Sequence, residues 1–471
     1  MNKKELILKI IYTIATIIIT NTILYQITKL NILPFKYLIL LYLLIISIDI
    51  IVFLFLNNHN KKIKIVCYIT IIITIIISII TLTCIHKTDN LLEITFSNDK
   101  IEISSYLTIS LKNKYSDLKE LNNKIIGYYN DNNINKILTD NIKITLIEYT
   151  DIFELYNDLL EGKIDALIIE EPYLEILAEE YEDIDNTITI LNIKDIKTET
   201  TIKKEIIKNV KPLNIYLSGS DSRTNTIYNK SRSDVNIIIS INPIKKKILI
   251  VSIPRDYYVM IHGQTKLKDK LTHAGIYGLD VSTSTIEDLL NIKIDYSIKI
   301  GFKMVTELVN LLEGIDIYSD IYFKSTDNDL EINKGINHLN GEQTLSYVRE
   351  RHALNGGDRT RIINQQTVLK EIITKISNNK SILLKYEELL QKFYNLYYTN
   401  IPKEVITLYV KNQLNNPAKW QIETYQLNGS NSKQRTYTSP NYLHYVMLPY
   451  PNDITTANQK IIDNINTKKV E

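Results

Sequence analysis

The sequence predicts an α/β (α+β) fold with a mixed central sheet flanked by helices, preceded by three transmembrane helices and a small α/β accessory domain. Three long apolar runs open the chain, a short alternation of strand and helix patterns follows, and a longer alternation fills the remainder. At 471 residues the chain is too long for one ordinary domain. We therefore divide it into residues 1–86, 87–210 and 211–471.

The composition excludes several classes of protein. The 55 Lys and Arg residues nearly balance the 53 Asp and Glu residues. This balance gives no support to a nucleic-acid binder that works through a bulk basic field. Cys67 and Cys84 lie in one apolar run and would be ~25 Å apart in a helix. That spacing excludes a disulfide within the run, and two cysteines so placed exclude a cysteine metal site.

The apolar runs are Ile10–Thr28, Tyr37–Leu56 and Ile65–Ile85, and each is long enough to cross a bilayer as a helix. Three such runs without a cleavage site argue against a signal peptide. Six lysines precede the first run or separate the second from the third, whereas two separate the first from the second. The positive-inside rule therefore predicts a multi-pass protein of the cell membrane, with a cytoplasmic N-terminus and with everything after Ile85 extracytoplasmic. Asp49, inside the second run, is expected to face a neighbouring helix.

Residues 87–210 predict an accessory packing domain. Their clearest unit is a helix over Asp151–Glu161, a left-handed cap at Gly162 and a strand over Ile164–Ile169. The unit resembles half of a periplasmic solute-binding fold, but one half has no second lobe to close over a ligand. The charged segment Lys203–Lys211, followed by Pro212, indicates a boundary.

The last region begins with a strand at Leu213 that runs into a glycine turn, followed by β-branched strands over Val235–Ile241 and Ile248–Ile253. Helical patterns follow, and their interleaving with strands favours a mixed sheet covered on its faces. The predicted helices are Ser282–Leu290, Phe302–Leu312, Gly341–Tyr347, Thr360–Ile376 and Ser381–Tyr398.

Four polar clusters lie at the ends of these elements: Gly219–Arg223, Ser231–Asp234, Ser252–Asp256, and Tyr347–Arg351 with Asp358–Gln366 close behind. They contain carboxylates suited to a hard cation, and arginines, whose planar guanidinium groups pair with phosphate oxygens two at a time. Carboxylates with Mg²⁺ and arginines are the usual groups of phosphoryl transfer. The five arginines are Arg232, Arg255, Arg349, Arg351 and Arg361.

A structural ion-pair network is the alternative interpretation of these clusters. Their repeated placement at strand and helix ends, where the active sites of sheet domains lie, favours a functional site. The sequence contains no zinc-type histidine spacing, no Gly-x-Ser-x-Gly elbow and no Gly-Lys-Ser/Thr phosphate loop. Serine hydrolases and nucleotide hydrolases are therefore excluded, and His273 is interpreted as a turn residue, or as one that supports a neighbouring side chain, rather than as a base.

In this order the clusters resemble the LytR–CpsA–Psr (LCP) family of bacterial envelope phosphotransferases. The likeness covers roughly Lys211–Asn464, and several ordered motifs make it specific. The matching stretches are Gly219–Arg223, Arg232–Asp234, Ser252–Asp256, Lys270–Gly275, Leu312–Asp316, Leu339–Gly341, Tyr347–Arg351 and Asp358–Gln366.

The resemblance implies an LCP-type domain that moves a phosphorylated glycopolymer, teichoic-acid-like or capsular, from a polyprenyl pyrophosphate carrier to a peptidoglycan hydroxyl. Its partners would be the lipid-linked glycan, peptidoglycan and the membrane, with no nucleic acid, and the lipid tail would lie in an apolar pocket. Asp221 and Asp234 would hold Mg²⁺, or Mn²⁺, and form the catalytic set with Arg255. The pyrophosphate would be bound by Arg232, Arg255, Arg349, Arg351, Arg361 and Gln365. The supporting residues would be Arg223, Asp256, Lys270 and Asp358.

Two positions depart from the family pattern. Asn364 stands where members usually have a second arginine, which removes one positive charge near the site. Glu313 stands where the first glycine of Leu-Gly-Gly is commoner, and we expect it only to adjust a turn.

Two other functions stay open at this point. One is a non-catalytic regulator that binds the lipid carrier, of the transcriptional attenuator type. The intact Asp221 and Asp234 argue against it, because binding alone has less need of a metal. The other is a polyprenyl pyrophosphate hydrolase, which would use the same site and differ only in the acceptor.

Overall fold

The structure is a computed structural model that describes most of the chain. It describes residues 3–30, 35–55, 60–95, 99–129, 137, 143–201, 206–220, 229–326, 329–351, 353, 357–378, 382, 393, 396–417 and 419–466. Asp221, Arg223 and most of the predicted helix Ser381–Tyr398 lie outside these residues, as do the side chains of Asp49 and Asp358.

The chain opens with α1 (Lys3–Leu30), α2 (Phe35–Phe55) and α3 (Lys61–Thr95). Each contains a stretch long and apolar enough to cross a membrane, as predicted. The third helix continues ten residues beyond the expected end of its apolar run, to Thr95. In this extension Asp89 pairs with Lys29 of α1 at 2.9 Å and with Lys403 of the C-terminal region at 3.3 Å. The end of α3 therefore contacts both the end of α1 and the C-terminal region.

Residues 99–201 form a five-stranded sheet in the order β3-β2-β4-β1-β5. The strands are β1 (Asp99–Leu111), β2 (Lys124–Tyr129), β3 (Ile144–Tyr149), β4 (Ala166–Glu170) and β5 (Ile188–Thr201). The helices are α4 (Ile152–Leu160), α5 (Glu171–Glu180) and the short α6 (Ile184–Thr187). The predicted unit is confirmed, because α4 lies within Asp151–Glu161, Gly162 has a left-handed φ of 74° and β4 follows.

The C-terminal region is built on a six-stranded sheet in the order β16-β11-β6-β7-β8-β17. Its strands are β6 (Leu213–Ser220), β7 (Val235–Asn242), β8 (Lys247–Ile253), β11 (Tyr296–Gly301), β16 (Tyr397–Thr399) and β17 (Gln421–Gln426). β6 is parallel to β11 and antiparallel to β7, so the sheet is mixed and the predicted fold class is confirmed. Short paired strands complete the region: β9 (Tyr258–Val259), β10 (Asp269–Lys270), β12 (Ile315–Ser319), β13 (Phe323–Lys324), β14 (Glu331–Ile332), β15 (Gly335–Leu339), β18 (Gly429–Gln434) and β19 (His444–Pro449).

Helices cover both faces of this sheet. They are α7 (Leu279–Leu290), α8 (Phe302–Leu311), α9 (Gly341–Arg349), α10 (Asp358–Asn378), α11 (Lys403–Asn415) and α12 (Pro451–Ile465). Successive strand residues point to opposite faces, so Tyr216 packs with α7 and α12, whereas Leu217 packs with α10. Both layers therefore hold the strand ends in place from opposite sides.

The predicted helix Ser381–Tyr398 is wrong at its end. Tyr397–Thr399 is the edge strand β16, which pairs antiparallel with β11 through Ile298–Ile300. The open edge of β11 offers backbone partners, and tyrosine and threonine suit a strand. Tertiary pairing therefore overrides the helical pattern here.

The side chain of Asp151 connects the region of residues 99–201 with the C-terminal region. Its buried carboxylate caps α4 by accepting hydrogen bonds from the backbone N–H groups of Phe153 (2.9 Å) and Glu154 (3.2 Å). The same carboxylate accepts from the hydroxyl of Ser439 (3.1 Å) and the backbone N–H of Asn441 (2.9 Å), both near the C-terminus. The Asp151 side chain thus caps a helix and also forms hydrogen bonds across the contact between the two regions.

We predict that Asp151→Ala lowers the free energy of unfolding by about 2–4 kcal/mol, because it removes a cap and leaves buried donors without an acceptor. Asp117→Ala is the matched control, since Asp117 caps a short helix with one 3.3 Å bond from the backbone of Lys119. It should cost about 0.5–1 kcal/mol. Denaturant unfolding of the full chain in detergent measures both, and equal losses would contradict the joining role of Asp151.

Candidate functional site

Three strand ends meet at one edge of the central sheet. Gly219 in β6 pairs with Val235 in β7, and the backbone N–H of Asp234 donates to the carbonyl of Gly219 at 2.8 Å. β8 runs antiparallel to β7 and ends at Ile253, which pairs with Asn236. The predicted clusters around Asp234 and after β8 therefore lie together. Asp221, which comes directly after β6, lies outside the described residues.

Asp234 and Arg255 form a buried ion pair. Nη1 of Arg255 donates to Oδ1 of Asp234 at 2.7 Å, and Nη2 of Arg232 lies 4.0 Å from Oδ2. Burial acts to raise the pKa of the Asp234 carboxyl, but the Arg232 and Arg255 guanidinium groups more than offset this and hold the pKa below its usual value. Asp234 is therefore a charged partner of the arginines and a weak proton acceptor.

The loop that carries Arg232 packs directly on Gly275. The backbone N–H of Ser231 donates to the carbonyl of Gly275 at 3.1 Å, and that of Ser233 donates to Thr272 at 3.0 Å. A Cβ added at Gly275 would lie 2.3 Å from the carbonyl oxygen of Ser231. Only glycine fits this close approach, which explains the glycine that ends the segment from Lys270.

Lys299 is a residue of the site that the sequence analysis missed. It is fully buried in β11, and its Nζ donates to the carbonyls of Asn229 (3.0 Å) and Ser231 (2.7 Å), behind the loop of Arg232. Burial lowers the pKa of Lys299 to about 7, and Glu175 and Asp234 oppose this shift only in part. A lysine between Ile298 and Ile300 of a core strand is the signal that could have revealed it.

Helix α5, from the region before the six-stranded sheet, reaches the same cations. Nε of Arg232 donates to Glu175 at 3.1 Å, and its Nη1 donates to Glu179. The Glu179 oxygen that accepts from Arg232, Oε1, also lies 3.5 Å from Nη1 of Arg255. The other oxygen, Oε2, lies 3.2 Å from Nζ of Lys270. We expected this region only to pack against the domain. The structure shows that it also contributes two carboxylates to the cation cluster.

The two glutamates differ in their electrostatic surroundings. Burial acts to raise the pKa of Glu179, but the charges of Lys270, Arg232 and Arg255 more than offset it and hold the pKa far below its usual value. Burial also raises the pKa of Glu175, and Arg232 opposes this only in part, so the net shift is upward. Glu179 is thus the more strongly held carboxylate of the pair.

The expected supporting residues Asp256 and Lys270 lie beside this cluster. Oδ2 of Asp256 is 3.8 Å from Nε of Arg255, and its Oδ1 is 3.9 Å from Nζ of Lys270. His273 is buried and hydrogen-bonded to Asp269 at 2.8 Å. This pairing agrees with its interpretation as a structural residue.

The remaining predicted pyrophosphate residues lie on α9 and α10. Arg361 and Gln365 are both buried on α10, one turn apart. Gln365 lines an otherwise apolar cavity of about 100 Å³ together with Gly219 of β6, so α10 lies against the end of β6. Arg349 ends α9, with its guanidinium carbon 5.2 Å from the centre of the Phe302 ring. Arg351 follows α9 and is partly exposed.

Two family motifs position α9. The side chain of Asn340 caps the helix in a reciprocal box with Gln343, and Gly341 packs so closely on α8 that a Cβ would lie 2.2 Å from the carbonyl of Thr306. At the other end, Nδ2 of Asn364 donates to the carbonyl of Tyr347 at 3.0 Å. Asn364, in place of the usual arginine, therefore fixes α10 to the end of α9.

The second departure, Glu313, takes a left-handed φ of 60° directly before Gly314, whose φ is 84°. Glycine adopts this conformation without steric cost, whereas glutamate does not. The substitution thus keeps the turn and adds local strain.

A serine, a histidine and a glutamate meet where the two soluble regions join. The Oγ of Ser439 lies 3.0 Å from Nε2 of His444, whose Nδ1 lies 3.1 Å from Glu180. Ser439 is fully buried and its hydroxyl is within bonding distance of Asp151. The arrangement is therefore an interface contact and not an exposed nucleophile.

The predicted metal ligands are described only in part. Among the described residues, no group of three or more His, Cys, Asp or Glu side chains could hold a metal ion. Asp234 supplies the carboxylate oxygens that Mg²⁺ prefers, and Mg²⁺ commonly takes one or two carboxylates with substrate phosphates and water. The donor chemistry at this edge therefore fits the ion, and the metal site stays a prediction.

A family model described as the LytR_cpsA_psr family matches residues 181–449. That range covers the central sheet, the predicted motif residues and the C-terminal strands. Residues 1–180, including α5, precede the match.

Curated relatives match about half of the chain. A polyisoprenyl-teichoic acid–peptidoglycan teichoic acid transferase TagU of Bacillus cereus is 34% identical over 223 residues, which cover 47% of this chain and 70% of the relative. The TagU of Bacillus anthracis is 31% identical over 227 residues, covering 48% and 72%.

Solved structures of similar proteins include B. subtilis TagV and a TagT bound to LIIa-WTA. TagV is 28% identical with a TM-score of 0.45, over 55% of this chain and 99% of TagV. TagT is 26% identical with a TM-score of 0.44, over 56% of this chain and 94% of TagT.

The charge state of Glu179 predicts a pH dependence of stability. Its folded pKa lies below its unfolded value, so its contribution is fully present above about pH 5 and is lost as the pH falls. From pH 6 to pH 4 the protein should lose about 1 kcal/mol more stability than the variant Glu179→Gln. Thermal unfolding in detergent at the two pH values measures this. Glu182→Gln, an exposed control, should follow the unmodified protein. Equal losses in Glu179→Gln would show that Glu179 is not held by the cations.

Proposed function

Because this chain belongs to the LytR–CpsA–Psr family, we propose that it is a membrane-anchored phosphotransferase that moves a phosphorylated glycopolymer from a polyprenyl pyrophosphate carrier to a hydroxyl of peptidoglycan. The family match extends over more than half of the chain. The curated relatives carry the name of a polyisoprenyl-teichoic acid–peptidoglycan transferase. A teichoic-acid-like or capsular polymer is the corresponding cargo.

The observation that carries this proposal is the position of a buried cation cluster beside an apolar cavity. Arg232 lies just before β7, one of the strands that line the cavity, and pairs with the same Asp234 as Arg255, which follows the neighbouring strand β8. Gln365 forms part of the cavity wall. A lipid pyrophosphate needs cations for its head and an apolar space for its tail. Both occur at one edge of the same sheet.

The transfer breaks one phosphoanhydride bond and forms one phosphodiester bond. The acceptor hydroxyl oxygen attacks the phosphorus attached to the glycan, and the bridging oxygen leaves with the polyprenyl phosphate. The hydroxyl proton passes to a carboxylate or to water. We assign the arginines to stabilising the charge that develops on the leaving phosphate. Asp234, with its lowered pKa, serves to orient Arg255 rather than to remove the proton.

Asp234 and Asp221 would hold Mg²⁺ or Mn²⁺, which when bound supplies charge neutralisation at the pyrophosphate oxygens. Arg349, Arg351 and Arg361 would add positive charge from the helix side of the site, and Gln365 would donate hydrogen bonds at the mouth of the cavity.

A second apolar cavity supports the lipid assignment. It has about 580 Å³, and its lining includes Ile373 of α10, Trp420 directly before β17 and Tyr37 at the start of α2. The smaller cavity of about 100 Å³ is below the range of about 300–1,000 Å³ that holds drug-sized ligands. A long polyprenyl chain would extend from the smaller space along the same sheet face towards the larger one.

The membrane helices support an extracytoplasmic site. Asp89 at the end of α3 and Lys36 at the start of α2 both contact α11, so this end of the helices lies against the catalytic region. The opposite ends carry most of the flanking lysines, and the positive-inside rule assigns those ends to the cytoplasm.

The transferase proposal predicts a joined product. The full chain in detergent, incubated with a short polyprenyl-pyrophosphate glycan, Mg²⁺ and peptidoglycan fragments, should give a phosphodiester-linked product in mass spectrometry. Asp234→Ala should lower the rate at least about 100-fold, because Arg255 then loses its partner and the metal a ligand. EDTA should abolish the reaction. Asp288→Ala, at an exposed aspartate, is the matched control and should leave the rate unchanged.

Three other outcomes would contradict the proposal in different ways. Phosphate release without a joined product would favour the hydrolase. Lipid binding without turnover would favour the regulator. A rate unaffected by Asp234→Ala would remove Asp234 from the site.

If the smaller cavity holds the lipid tail, filling that cavity should weaken lipid binding without affecting the binding of pyrophosphate alone. Leu369→Trp should fill the smaller cavity and weaken binding of a polyprenyl pyrophosphate about tenfold, through overpacking, while inorganic pyrophosphate binds as before. Ile363→Trp, on the exposed face of the same helix, is the control. Titration calorimetry in detergent measures both ligands. Unchanged lipid affinity in Leu369→Trp would show that the tail lies elsewhere.

A further inference from the structure

The cations of the strand edge are already occupied by carboxylates. Arg232 donates to both Glu175 and Glu179, and Lys270 and Arg255 lie 3.2 Å and 3.5 Å from Glu179. Arg232 and Arg255 are among the predicted pyrophosphate-binding residues, and Lys270 is a predicted supporting residue beside them. The two glutamates thus take the hydrogen-bonding positions of an anionic ligand.

Within the ion pairs that the described residues form at this edge, carboxylates outnumber cations. Three cations, Arg232, Arg255 and Lys270, face four carboxylates. The carboxylates are Asp234, Asp256, Glu175 and Glu179. A pyrophosphate that approached this arrangement would meet carboxylates next to the cations that should bind it, at separations where like charges repel strongly. Binding there requires that the glutamates move aside.

The backbone of α5 is fixed, so the side chains are the movable part. Ile176 and Leu177 on the opposite side of α5 are buried in the core of the region before the domain. Glu175 and Glu179 are one turn apart and face the cations, with 31% and 18% of their side chains exposed. Because each side chain is already partly exposed, its rotation towards solvent would require no change in the helix.

We propose that Glu175 and Glu179 form an acidic clamp that occupies the phosphate-binding positions of Arg232, Arg255 and Lys270 in the resting protein and yields only to a ligand with two adjacent phosphates. The inference rests on the proposed function, because it concerns the same lipid pyrophosphate. Each phosphate replaces the charge-assisted hydrogen bonds of one carboxylate. A single phosphate replaces only one set and leaves the other glutamate against it.

The clamp makes the two glutamates determinants of specificity. The carrier with its glycan presents two linked phosphates and displaces both side chains. The polyprenyl phosphate that leaves presents one phosphate, so the clamp closes again and the product is expelled. The residues before the family match would thereby take part in selecting the substrate and in releasing the product.

The test compares two ligands that differ in one phosphate. Farnesyl pyrophosphate and farnesyl monophosphate are titrated into the full chain in detergent and into the double variant Glu175→Gln and Glu179→Gln. The double variant should bind both ligands more tightly. The affinity for the monophosphate should rise more than the affinity for the pyrophosphate, so that the preference for pyrophosphate falls about tenfold. In the unmodified protein a bound monophosphate leaves one glutamate in place, and the double variant removes the repulsion from that carboxylate. Glu182→Gln, two residues beyond the helix, should behave as the unmodified protein.

A second variant separates the effect of the Glu179 carboxylate from an effect of misfolding. Glu179→Asp keeps the charge on a shorter side chain, so it should bind monophosphate with an affinity between those of the unmodified protein and the double variant. Weaker or unchanged binding of both ligands in a folded double variant would overturn the clamp and make the glutamates positioning residues for the arginines. An equal gain for both ligands would overturn the two-phosphate requirement.

Failure of the clamp and failure of the transferase are distinguishable. Tighter monophosphate binding in the double variant, in a protein that joins no glycan to peptidoglycan, would support the clamp and contradict the transferase. Glycan transfer by the unmodified protein, without any gain of affinity in the double variant, would do the reverse.

Discussion

The buried ion pair between Asp234 and Arg255 is the interaction on which this site depends. A charge removed from water has to be paired and hydrogen-bonded, or it destabilises the fold. The pair forms because β7 begins where β8 ends, and both ends are held by hydrogen bonds of the same sheet. Arg232, Lys270 and the two glutamates of α5 are then arranged around this pair. The geometry of the strands thus decides which cations can share a ligand.

The region of residues 87–210 is part of the site as well as of the scaffold. It shares a core with the catalytic region through Ile276, and Asp151 ties its first long helix to the segment around Ser439. These contacts hold α5 at a fixed distance from the strand edge. A helix held so firmly can present carboxylates to the cations at little cost in conformational entropy.

Much of the fold could be predicted because its elements carry local signals. The length of the apolar runs predicted three helices able to cross a membrane, and the β-branched runs predicted β7 and β8. The clusters at strand ends could be predicted for the same reason, since strands of one sheet share an edge. Glu175 and Glu179 could not be assigned a partner, because an acidic helix face shows no sign of which distant cations it meets. Lys299 was missed because a single lysine in a strand has no periodicity, and β16 because only the edge of β11 makes it a strand.

The end of α3 has a consequence for where the protein can work. α3 ends at Thr95 and β1 begins at Asp99, so the tether between them has three residues. Three residues span at most about 10 Å when fully extended, and Asp89 further fastens the end of α3 to α11 through Lys403. The region that follows α3 therefore stays next to the helices at the start of the chain. In the proposed reaction the peptidoglycan acceptor would have to come to the membrane surface, so newly assembled wall material would be the accessible substrate.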